Sequence, residues 1–148
     1  PSAKFADPRC AGWVKVPRKW SWHAPLRTYF ARRQALVELD ALAAISLQMT
    51  LDELQMIFRV QFPTLQQYER ETYYDRRGKI VRTTNKGLSG VGLARKQWEQ
   101  IKDAKAGERL PEWAVDAGGA FEPPFDRCDR EEDMAQAYAY FKERLSDA

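Results

Sequence analysis

The residues best suited to chemistry lie between Tyr73 and Lys96, in YYDRRGKIVRTTNKGLSGVGLARK. Four glycines, seven Lys or Arg and a single acid share this stretch. Glycine-rich loops cradle phosphates, so Gly87, Gly90 and Gly92 are the first candidates. Their spacing is GxxGxG, the reverse of the dinucleotide fingerprint, and no strand–helix–strand pattern surrounds it. No GKS or GKT ending supplies the lysine and hydroxyl that hold phosphate and Mg²⁺. The spacing predicts a flexible turn with positive-φ positions rather than a nucleotide site.

Other catalytic arrangements are thin. EPPF, Glu122 to Phe125, resembles the Asp/Asn-Pro-Pro-aromatic loop that holds a flipped-out base in amino-methyltransferases. Glu122 is one methylene too long for that geometry, and no strand followed by a Gly-rich cofactor loop precedes it. EPPF reads instead as a proline-stiffened connector. His23 is the single histidine and has no nucleophile or metal partner in sequence. Cys10 and Cys128 make neither a metal-ligand spacing nor a disulfide framework. Glu69, Glu71 and Asp75 lie among Arg70, Arg76 and Arg77, and ion pairs on a hairpin account for them. The expectation is therefore no catalytic residue, no metal site and no cofactor site in this chain. A stand-alone enzyme would need a pocket holding an acid or base of shifted pKa, and none is expected.

The cations carry the stronger signal. Arg76, Arg77 and Lys79 fall at an expected hairpin tip, and Arg82 lies on the return strand. Lys86, Arg95 and Lys96 flank the glycine loop. Lys and Arg neutralise phosphates and release counterions, and a two-stranded ribbon fits the major groove of double-stranded DNA. Tyr73 and Tyr74 are placed to add sugar or base contacts. The rival reading is a solvated hairpin tip that carries charge for solubility. Net charge is only +3, yet Arg70 to Lys102 holds nine basic and three acidic residues. Asp126 to Ala148 holds seven acids against four bases. Such asymmetry suits one face meeting a polyanion.

These residues need a scaffold. The 148 residues, 44% hydrophobic and 30% charged, have the composition of one folded domain of ordinary size. An extended arm, 1–24, carries Trp13, Trp20 and Trp22. A helix is expected from near Pro25 through LRTYFARRQALVELDALAAISLQM, with Ala41 to Leu47 as the buried centre of the fold. Thr50 and Glu53 form a capping box for a second helix, LDELQMIFRVQF, which Pro63 stops. TLQQYERE is expected to add a short helical turn. A β-hairpin follows near 72–84, with Asp75 and Gly78 as turn residues. ARKQWEQIKDA is expected to be helical with Trp98 and Ile101 inward, and LPEWAVDAGGAFEPPF irregular. Asp129 and Glu132 repeat the capping logic for a last helix with Met134, Ala137, Tyr138 and Phe141 on one face. The class is α+β, mainly helical, as a single domain over 25–148. No apolar run approaches the roughly 18 residues of a membrane span, no signal-peptide pattern opens the chain, and the cytoplasm is the expected compartment.

Three blocks in order, ARRQALVELDALAAISLQMTLDELQMIFRVQFPTLQQYERETYYDRRGKIV, GLSGVGL and PPFDRCDREEDMAQAYAYF, carry a resemblance. They are similar to the C-terminal end of large bacterial restriction–modification adenine-specific DNA methyltransferases, the long type IIG-like and phage-resistance methylases. The likeness runs from Pro25 to Leu145. In that family S-adenosylmethionine binds a Gly-rich motif upstream, and an Asn-Pro-Pro-Tyr loop takes the target adenine. Neither is in this chain, so no catalytic residue carries over. The resemblance implies a tail domain of a longer protein that positions DNA or packs against the methyltransferase body. The alternative expectation is a docking or oligomerisation module, with Trp13, Trp20, Trp22 and the apolar helices meeting a protein partner.

Overall fold

A computed structural model describes residues 25–146 together with Lys19, Ser21 and Trp22. Most of the expected arm, with Trp13, Trp20, His23 and Cys10, lies outside the described residues, while Trp22 is exposed. Helix α1 spans Tyr29–Ser46, α2 Leu51–Gln61, α3 Pro63–Arg70, α4 Arg95–Ile101 and α5 Arg130–Ser146. Strands β1 (Tyr73–Tyr74) and β2 (Ile80–Arg82) pair antiparallel, as do β3 (Val115–Asp116) and β4 (Gly119–Ala120). The molecule is a mainly helical α+β domain with two small hairpins.

Local chemistry sets the helix boundaries. α1 starts four residues later than Pro25 suggested, because Thr28 caps it: its Oγ1 accepts from Ala31 N at 3.1 Å. α1 ends at Ser46, and just beyond its cap Gln48, with a left-handed φ of 58°, turns the chain. Thr50 then caps α2 through the expected box with Glu53. Pro63 ends α2 and also opens α3, where its missing N–H is harmless. Asp129 Oδ1 accepts from Glu131 N and Glu132 N at the start of α5.

The main core lies where α1 meets α2 and α5. Val37, Ala41 and Ala44 pack there against Leu54, Phe58, Met134 and Ala137. The expected all-round burial from Ala41 to Leu47 is not seen. Leu47 is 71% exposed, and so are Leu36 (56%) and Leu39 (59%) on the same helix. Two buried partners cover only one stripe of α1.

A second core joins the hairpin region to α4: Val81, Leu93, Trp98, Ile101, Phe121 and Phe125. Trp98 lies between Tyr73 (4.6 Å between ring centroids) and Phe125 (5.6 Å). EPPF thus is a connector whose Pro123 and Phe125 are buried: Pro123–Pro124 is cis and Phe125 faces Trp98. Beyond it, Asp126 and Tyr74 exchange both backbone hydrogen bonds, at 2.9 and 3.0 Å, which fastens the connector to the free edge of β1.

Candidate nucleic-acid interface

The β1–β2 tip is built around Asp75, which is fully buried. Its carboxylate accepts from Arg77 N and Lys79 N at 2.9 Å and from Glu122 N at 3.2 Å. These bonds close the turn over Gly78 (φ 77°) and tie it to the start of the proline connector. Burial pushes the Asp75 carboxyl up from its ordinary value, against the pull of those N–H donors and of Arg77. Asp75 is a structural acid of the turn, and Arg77 Nε lies 3.9 Å from its buried Oδ2 as an ion pair.

The seven cations named from the sequence divide into two groups. Arg77 and Lys79 are turned onto the β3–β4 hairpin. Arg77 Nε lies 3.1 Å from Glu122 Oε1, and Arg77 Nη2 donates to the Ala120 carbonyl. Lys79 Nζ donates to Asp116 Oδ1 at 2.8 Å and to the Gly119 carbonyl at 3.1 Å. This tip is neither a bare cationic finger nor a freely solvated turn. Sequence reading missed the hairpin that covers it, since β3 and β4 are two residues each and exposed. The one available signal was the turn AspAlaGlyGly, in which Asp116 Oδ1 accepts from Gly118 N at 2.8 Å.

The second group sits on the segment leading from β2 to α4. Leu93 N donates to Val81 O at 2.7 Å, folding the glycine loop back on β2. Gly92 makes this possible. A Cβ there would lie 2.7 Å from Val81 O, and its φ is 74°. Arg82 is half-buried and its Nη1 donates to Leu93 O at 3.3 Å, which braces the same closure. Lys86, Arg95 and Lys96 project from this closed segment and are exposed. None of the three forms an ion pair among the described residues. Arg76, at the hairpin tip, is half-buried and its backbone N–H donates to Glu122 O at 3.0 Å.

Of the acids near the hairpin, Glu69 has other partners than expected. Glu69 does not pair with Arg70, Arg76 or Arg77. It binds Arg33 Nη2 at 2.7 Å and Arg130 Nη1 at 2.8 Å. Arg33 also holds Asp133 at 2.6 Å, and Arg130 holds Asp40 at 2.9 Å. Burial opposes the Arg33 charge, but Cys128 and the Glu69 and Asp133 carboxylates outweigh it and hold the guanidinium ionised. Burial raises Asp133, against the pull of Arg33. Asp133, Arg130 and Glu69 border an open groove of about 680 Å³ with Arg127, Tyr73 and Phe58. A pocket with a shifted acid therefore exists, contrary to expectation; that acid is ion-paired to Arg33, and Cys128 lines the same groove.

Among the described residues no cluster of His, Cys, Asp and Glu could hold a metal ion, and no helix is long and apolar enough to cross a membrane. No family model, curated protein or solved structure matches the chain.

Proposed function

We propose that this chain is the C-terminal accessory domain of a restriction–modification or phage-defence DNA methyltransferase, and that it assists binding to double-stranded DNA. The observation that carries the reading is the trio Lys86, Arg95 and Lys96, exposed and without an ion pair among the described residues, on the segment that Leu93 and Gly92 fasten to β2 and on the first turn of α4. A fixed array of free cations binds phosphate with less ordering cost than the same residues on a slack loop. The family likeness of the sequence supports the choice of polyanion. Under this reading S-adenosylmethionine and the catalytic loop belong to the methyltransferase body, and the setting is cytoplasmic. The glycines do not fit the cofactor: Gly92 backs onto the Val81 carbonyl, leaving no cradle on that side.

A second reading is favoured by the outer faces of α1 and α2. Leu36, Leu39, Met56 (59% exposed) and Val60 (66% exposed) leave an apolar surface open. Its occupant in this reading is the methyltransferase body, in the same or a partner chain, and the cations then serve solubility.

A gel shift with duplex DNA at low salt separates the two. The DNA reading expects the wild type to shift and the variant Lys86→Ala, Arg95→Ala, Lys96→Ala to lose about tenfold or more in affinity. Equal affinity of the two proteins, or no shift by either, would remove the open-face contact and favour the docking reading.

A further inference from the structure

The β3–β4 turn covers two cations with the kinds of oxygen that a phosphodiester would offer. Asp116 of the turn supplies a carboxylate to Lys79, and Glu122, just beyond β4, supplies one to Arg77, which also lies 3.9 Å from the buried Asp75 carboxylate. Backbone carbonyls of Gly119 and Ala120 complete both contacts. Gly118 lets the lysine lie flat, since a Cβ there would meet Lys79 Cε and Nζ at 2.9 Å. The acids are more open to water than the cations they cover. Asp116 and Glu122 side chains are 35% and 54% exposed, against 17% and 26% for Lys79 and Arg77. Two positive charges are thus cancelled by two negative ones on the tip nearest the Lys86–Arg95–Lys96 segment in sequence. The covering hairpin is joined by only two residue pairs, Val115–Ala120 and Asp116–Gly119. Partly exposed ion pairs of this kind exchange readily with other anions.

We propose that the β3–β4 turn is an autoinhibitory clasp, which withholds Arg77 and Lys79 from DNA until phosphate displaces Asp116 and Glu122. The inference rests on the DNA reading above and adds a regulated second contact to it. It also assigns Asp116 and Glu122 a role in tuning affinity.

The test measures duplex affinity against salt for the wild type and for Asp116→Asn with Glu122→Gln. Removing the clasp acids is expected to raise low-salt affinity about tenfold and to steepen the log–log salt slope by about two, one for each freed cation. A control with the same net charge, Asp103→Asn with Glu112→Gln, is expected to reproduce little of that gain. Adding Lys79→Ala and Arg77→Ala to the clasp variant is expected to abolish it. A gain matched by the control, or one that survives loss of Arg77 and Lys79, overturns the clasp. Binding by the wild type with no gain in the variant overturns the clasp and leaves the DNA reading standing. Binding by the variant alone supports the clasp and removes the open-face contact, and binding by neither removes both.

Discussion

Arg33 and Arg130 are buried arginines that share one acid, Glu69, through separate carboxylate oxygens. Each has a second acid on another helix, Asp133 for Arg33 and Asp40 for Arg130. The arrangement links α1, α3 and α5 through charges that, apart from the 44% exposed Asp40, have lost most of their water. Buried pairs gain little over apolar packing, but removing one partner strands the other charge. Glu69→Ala leaves Arg33 with Asp133 alone and Arg130 with Asp40 alone. It is expected to cost about 2–3 kcal/mol, less than a fully stranded charge, read as a lowered midpoint in urea unfolding. A loss below about 1 kcal/mol would mean that water reaches both guanidinium groups. Arg33 and Glu38 stood in the sequence among the polar residues of an amphipathic helix, yet both are buried. Nothing local marks a helical arginine as buried. Its partners Glu69 and Asp133 are 36 and 100 residues away.

At the scale of elements, the two hairpins are joined through Asp75 and the proline connector. Burial raises the Asp75 carboxyl, so its protonated form favours the folded state. That contribution is complete below the ordinary value of 3.8 and is lost as pH rises through the folded-state value. The stability advantage of wild type over Asp75→Asn is therefore expected to shrink as pH rises above the ordinary value of 3.8, followed by urea unfolding across a pH series. An advantage that grows over the same range would show the three N–H donors outweighing burial. The first hairpin was readable because β-formers flank Asp75 and Gly78, and α2 because Thr50 and Glu53 make a reciprocal cap. β3 and β4 were not readable. Their four residues are exposed and follow no period, and Lys79 and Arg77 hold the turn from some 40 positions upstream.

On the scale of the whole molecule, two surfaces compete to explain the domain. One is the apolar outside of α1 and α2. The other is the loop-to-helix segment with Lys86, Arg95 and Lys96. Sequence placed all seven cations together; tertiary structure commits Arg77 and Lys79 to β3–β4 and the connector, half-buries Arg76 at the hairpin tip, sets Arg82 to bracing the loop, and leaves three open. The central claim is that these three meet phosphate. Its most direct measurement is the affinity of the domain for duplex DNA across a salt series. With three phosphate contacts the slope of log affinity against log salt should lie near −3, and Lys86→Ala should make it shallower by about one. A slope near zero, or one that Lys86→Ala, Arg95→Ala and Lys96→Ala leave unchanged, would contradict the account.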